Sequence, residues 1–173
     1  MPSGKTHDSI TFLLTVPVII LFWKITGSVA LSALAGSSFL FGGLMFGPDL
    51  DTRSVQYHRW GWFKALWYPY RFFFPHRSFW THGLIFGTLI RLIYFLGVFT
   101  LLAVGGFSIA TLLIYGSQPE GISYVDTWSK AGQYLRGLFG EWFMYVVFGG
   151  LWVGAASHSL ADWALSYIKT GKP

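Results

Sequence analysis

Apolar residues in this chain do not alternate, nor do they mark one face of a helix; they run together in four long stretches. The stretches cover residues 10–25, 28–46, 84–115 and 142–166. A bilayer needs about 20 consecutive apolar residues for a helical crossing. The pattern therefore predicts an all-α protein, a polytopic membrane four-helix bundle forming a single transmembrane domain over residues 1–173. Pro17 should bend the first helix, and Thr26-Gly27 reads as a tight turn into the second. The second ends at Gly47-Pro48-Asp49-Leu50-Asp51. The third stretch is too long for one straight crossing at about 1.5 Å per residue. Its start is expected to project from the membrane up to Arg91, in preference to a break at Gly105-Gly106.

Two connections separate these stretches. Residues 48–82 mix Trp, Tyr, Phe and Arg with the breakers Pro69 and Pro75, which suits an aromatic and basic loop lying in the membrane interface between helices 2 and 3. Residues 116–141 read as a polar loop with a short amphipathic helix. Lys5, Arg53, Arg59, Lys64, Arg71, Arg77, Lys169 and Lys172 fall on the side of both termini and the long loop. Lys24, Lys130 and Arg136 fall on the other. The positive-inside rule then places both termini in the cytoplasm and the protein in the plasma (inner) membrane. The pairs Gly43/Gly47, Gly83/Gly87 and Gly150/Gly154 would let helices approach closely. Lys24 interrupts the first apolar stretch, and a second membrane-length stretch follows it, so a retained helix is favoured over a cleavable signal peptide.

Composition strengthens this picture. Charged residues make up 11% of the chain and hydrophobic ones 53%, whereas soluble domains carry about a quarter charged residues. There is too little polar surface to cover a soluble core, so lipid is the expected surrounding. The net charge of +5 is accounted for by topology, and no nucleic-acid partner is expected. The chain has no Cys, which removes disulfides, thiolate metal sites and cysteine nucleophiles together.

The scarce polar residues carry the functional signal. His7-Asp8 begins the first helix, Asp49 and Asp51 close the second, His76 and His82 precede the third, and His158 and Asp162 share one face of the fourth. An up-and-down bundle brings all eight to one end. Separately, several have structural readings: Asp8 as a helix cap, Asp49-x-Asp51 as turn chemistry, His76 and His82 as interfacial residues. His158 with Asp162 differs, because ionisable groups in membrane helices are expensive and functional by default. His58 lacks an acidic neighbour and reads as a surface residue. Imidazole and carboxylate without sulfur suit one or two divalent ions, zinc first, with manganese or iron also possible. Eight donors exceed one tetrahedral ion, so either a dinuclear centre or outer residues orienting the ligands is expected. Arg77 is a candidate contact for a phosphate or other oxyanion.

Gly47-Pro48-Asp49-Leu50-Asp51, His76-Arg77-Ser78 with Thr81-His82-Gly83, and His158-x-x-x-Asp162 together resemble the YdjM-like group of bacterial membrane proteins, described as metal-dependent hydrolases. Arg59-Trp60-Gly61 and Trp67-Tyr68-Pro69-Tyr70 make the chain more similar still to a small family of uncharacterised metal-binding proteins. The resemblance spans nearly the whole chain and implies that His7, Asp49, Asp51, His76, His82, His158 and Asp162 are the matched polar positions, with Asp8 beside them. No serine elbow or Gly-rich phosphate loop is present. Three readings follow: a metal-dependent hydrolase at the cytoplasmic membrane face acting on a lipid-borne or phosphorylated substrate, a non-catalytic metal-handling protein, and a structural subunit with a buried polar network. The few polar residues in the outer halves of the helices disfavour transport.

Overall fold

A computed structural model describes residues 4–76, 78–117 and 123–171. Among them all regular structure is helical. Helix α1 spans Gly4–Thr26 and continues through Pro17. The expected turn follows at Gly27, whose φ of 65° suits glycine, and Ser28 caps α2 (Val29–Leu44) by accepting from the Leu31 amide at 3.3 Å. A 3-10 turn at Pro48–Asp51 leads to the short helices α3 (Val55–Arg59), α4 (Tyr68–Phe73) and α5 (Phe79–His82). The long helices α6 (Phe86–Tyr115) and α8 (Phe143–Thr170) flank α7 (Tyr124–Phe139).

Three helices are long and apolar enough to cross a membrane: α1, α6, and α8 over Phe143–Ile168. The second expected crossing is shorter than its apolar stretch, because the chain leaves the helix at Met45, and α2 has 16 residues. Helix α6 is unbroken at Gly105-Gly106, so the long third stretch is one helix of 30 residues. Helix α7 is the amphipathic helix expected in the second loop, with Tyr124, Trp128, Leu135 and Phe139 on one side and Asp126, Lys130 and Gln133 on the other.

Helix α2 lies between α1 and α8, and small residues make this possible. A Cβ on Gly154 would strike the Phe39 carbonyl and lie 2.8 Å from the Gly43 nitrogen; one on Gly150 would lie 2.6 Å from the Ala35 carbonyl oxygen. A Cβ on Gly43 would in turn lie 2.6 Å from Thr11 of α1. In lipid, where water cannot drive helices together, such backbone approach supplies the packing. The seam has a direction: one turn beyond Gly154 stands His158, and just beyond Gly43 the chain turns toward Asp49.

The 48–82 segment is not a simple loop but a run of short helices, part of it buried. Trp67 and Tyr70 are wholly buried and join Phe46, Leu50, Tyr57 and Leu151 in an aromatic core closed by Ile90, Tyr94 and Phe95 of α6. The Tyr94 hydroxyl donates to the Leu66 carbonyl, and the Trp60 indole N–H donates to the Met45 carbonyl at 2.9 Å. Trp62, Phe63, Phe72 and Phe73 remain exposed. Burial pushes the Tyr70 phenol up to about 12, with the nearby Arg91 charge opposing the rise.

Candidate metal centre

Four separate parts of the chain deliver side chains to one place. His7 occupies the first turns of α1 and is buried; its carbonyl accepts from the Thr11 hydroxyl at 2.9 Å, the same Thr11 that abuts Gly43. Asp49 and Asp51 sit on the 3-10 turn, where Ser54 Oγ donates to the Asp49 carbonyl at 2.8 Å and fixes the backbone. His76 and His82 flank the start of α5, and His158 and Asp162 face inward from α8.

The candidate ligand atoms fall into two groups, with Asp49/His82/Asp162 spanning them. In the first, His7 Nε2 lies 3.2 Å from Asp162 Oδ1, and His158 Nε2 lies 3.7 Å from Asp162 Oδ2. The His7 and His158 rings stack with centroids 3.7 Å apart. In the second, His76 Nδ1 lies 2.8 Å from Asp51 Oδ1, and His82 Nδ1 lies 3.6 Å from Asp51 Oδ2. Asp49 stands between them. Its Oδ2 lies 3.3 Å from His158 Nε2 and its Oδ1 lies 3.7 Å from His82 Nε2. Each of the sets His7/His158/Asp162, Asp51/His76/His82 and Asp49/His82/Asp162 holds ligand atoms within 4.8 Å of one another.

Buried polar atoms normally make well-formed hydrogen bonds. His7 Nδ1, Asp49 Oδ1, Asp51 Oδ2, His82 Nε2, His158 Nε2 and Asp162 Oδ1 are buried without one, and all but His7 Nδ1 instead face an imidazole or carboxylate of the same cluster at 3.2–3.7 Å. Bonds of about 2.0–2.2 Å to a tetrahedral zinc place ligand atoms roughly 3.3–3.5 Å apart, close to the spacings found here. The donor set therefore fits a divalent cation, and in number and division it fits two. Burial would raise the Asp49 carboxyl, but the adjacent imidazoles of His158 and His82 outweigh it and hold the group well below the ordinary carboxylate range. Asp49 is thus ionised and ready to ligate at neutral pH.

Of the eight expected residues, seven meet at this centre. Asp8 turns aside to Arg59, which grips it with both guanidinium nitrogens and also donates to the Leu44 carbonyl at 2.9 Å. The charge pattern hid this pair, because 51 positions separate the two residues in sequence. Arg77 lies outside the described residues. His58 is exposed, as expected. Gln56 was not foreseen: it is buried, donates to the Gly43 carbonyl at 2.7 Å and sits 3.2 Å from His158 Nδ1, so it braces the ring from behind. A polar cavity of about 230 Å³ opens beside His7, Asp49 and His158, with Ser54 and Arg59 in its wall.

Membrane-length helices carrying a sulfur-free cluster of imidazoles and carboxylates, its inner atoms unpaired, define a helical metal-binding protein suited to a membrane. The chain belongs to the family described as uncharacterized metal-binding protein (DUF2227), which matches it over residues 2–172. It is 30% identical over 135 residues to an uncharacterized protein of Aquifex aeolicus, covering 78% of this chain and 91% of that one. No solved structure matches it.

Proposed function

We propose that the chain is an integral membrane metal-dependent hydrolase with a two-ion centre at the cytoplasmic membrane face. The observation that carries this reading is the set of six buried atoms on His7, Asp49, Asp51, His82, His158 and Asp162 that make no well-formed hydrogen bond. A polar network serving only to hold helices together would close into such bonds, whereas these imidazole–carboxylate pairs stand 3.2–3.7 Å apart, near the spacing of atoms that share an ion. His7, His158 and Asp162 hold one ion, Asp51, His76 and His82 the other, and Asp49 offers one oxygen to each. Zinc is the first candidate; manganese and iron suit the same donors.

Divalent ions held there would polarise a phosphoryl or acyl oxygen and ready water for attack. The cavity beside His7, Asp49 and His158 gives a reactant room to approach, which a closed structural site lacks. The exposed Trp62, Phe63, Phe72 and Phe73 sit with Lys64 and Arg71 on the same segment, a composition suited to lipid headgroups, and this favours a lipid-borne or phosphorylated substrate. The motif resemblance to the YdjM-like hydrolases points the same way. In this reading α2 completes a four-helix bundle between α1 and α8, with both termini in the cytoplasm of a bacterial inner membrane.

The test is elemental analysis of protein purified in detergent, followed by hydrolysis assays on a soluble phosphomonoester and on vesicles containing phosphatidic acid, with and without chelator. Chelator-sensitive release of phosphate supports the proposal. Two tightly held ions without turnover of either would leave a metal-handling protein. Protein that neither contains nor takes up a divalent ion would end the metal reading.

A further inference from the structure

We infer that Arg91 is a positioning residue for the metal centre: one guanidinium sets the separation between the segment bearing Asp49 and Asp51 and the segment bearing His82. The inference rests on the two-group reading of the site given above. Arg91 is 2% exposed and lies in α6, a membrane-length helix in which an idle charge is costly. Its partners are specific. Nε donates to the Phe46 carbonyl at 3.1 Å, Nη1 to the Thr81 carbonyl at 2.7 Å, and Nη2 to the Thr88 hydroxyl at 3.2 Å.

Two of these acceptors belong to the ligand-bearing turns. Phe46 begins the turn that runs through Gly47-Pro48 to Asp49. Thr81 immediately precedes His82, and its hydroxyl lies 3.0 Å from His82 Nδ1 while also meeting the carbonyls of Ser78 and Pro75. Holding the Thr81 carbonyl therefore holds the His82 ring. A planar guanidinium presents its donors at fixed spacing, so it can keep two carbonyls a set distance apart; the single ammonium of lysine cannot. Gly87 keeps the arrangement open, because a Cβ there would lie 2.5 Å from the Thr81 carbonyl oxygen and 3.4 Å from Nη1.

The three acceptors that Arg91 holds lie outside the segments carrying His7, His158 and Asp162, so its effect should fall mainly on the Asp51/His76/His82 group and reach the other only through the shared Asp49. The full chain in detergent is loaded with cobalt(II), counted by elemental analysis and titrated with chelator, and each group's absorption band is assigned from Asp51→Asn and His7→Ala. Arg91→Lys, which keeps the charge and loses the fork, should weaken the ion missing from Asp51→Asn by about 10–100-fold, the range for residues that orient ligands. The other ion, reached only through Asp49, should be weakened clearly less. Gly87→Ala pushes on the Thr81 carbonyl without touching Arg91's charge, should weaken the same ion, and decides the matter if Arg91→Lys does not fold. Equal weakening of both ions, or of neither, overturns the inference while leaving the metal reading standing. Wild-type protein that takes up no cobalt overturns both.

Discussion

The two halves of the centre are built from different material. His7, His158 and Asp162 stand on long helices, and their side chains are 7%, 3% and 18% exposed. Asp51, His76 and His82 stand on turns and on the four-residue α5, and the His76 side chain is 37% exposed. The first half is fixed by backbone-to-backbone contact between α2 and α8. The second is held by hydrogen bonds from Arg91 and by the aromatic core beneath it. In the proposed two-ion reading the helix-borne, more enclosed half holds its ion on the more rigid frame and borders the cavity through which a reactant approaches, while the exposed His76 lets the turn-borne, more open half exchange its ion faster.

The sharpest way to break this comparison is to remove what the halves share. Asp49→Asn keeps the side-chain shape but withdraws charge from both groups, and ion content should fall from two toward none in elemental analysis. A loss of one ion alone would show that Asp49 serves a single half. Next in size, His158→Ala should abolish the enclosed ion. Asp162→Asn should weaken it strongly, as a ligand change does, and by more than the roughly 10–100-fold expected of a merely orienting group. Both variants need a parallel thermal-unfolding measurement, since full ion occupancy with lowered stability would make the pair structural.

Gly154→Ala tests the scaffold of the enclosed half without altering a ligand. Its methyl would meet the Phe39 carbonyl, so a cost of about 1–3 kcal/mol is expected from overpacking, with slower retention of the enclosed ion. The open ion should be affected less. The smallest effect is expected for His76→Ala: the exposed imidazole is the most replaceable ligand, and the open ion should exchange about tenfold faster in an isotope-exchange measurement. Acidification gives a graded test of both halves. Protons compete with the ions for imidazole nitrogen, so affinity should fall as pH drops from about 7.5 to about 5.5. Asp49 does not contribute to that fall: its lowered folded-state pKa keeps it ionised across the window, and its part in stability is lost progressively as pH falls below the ordinary carboxylate value of about 3.9. Affinity that is flat over that window would argue against imidazole ligation in either half.

The apolar stretches made the helices legible, because lipid-facing helices must be apolar all round and little else competes with that signal. The meeting of seven of the expected His and Asp residues was legible for a related reason: long apolar helices joined by short connections have only two ends, and these residues sit beside the same one. What could not be read was anything that depends on side-chain direction in short turns. Asp8 follows His7 directly, yet about 100° of helical rotation carries it to Arg59 instead. The burial of Trp67 and Tyr70 beside exposed Phe72 and Phe73 follows from the winding of short helices, which composition does not encode. Gln56 carried no signal at all, being an amide in a loop of basic and aromatic residues.

The glycine seam between α2 and α8 has a further consequence for how this protein can vary. Gly150 and Gly154 have backbone where a Cβ would go, so these two helices meet in one register, and no compensating trim of a neighbour restores it. The approach of α8, which bears His158, to α2, which leads into the Asp49 turn, is thereby set largely by main chain. In a saturation-mutagenesis map, intolerance should therefore run as a narrow stripe from Ala35 through Gly42 and Gly154 to His158. The broad outward faces of α1 and α6, where Leu13, Leu101 and Leu113 are more than 70% exposed, should accept almost any apolar residue.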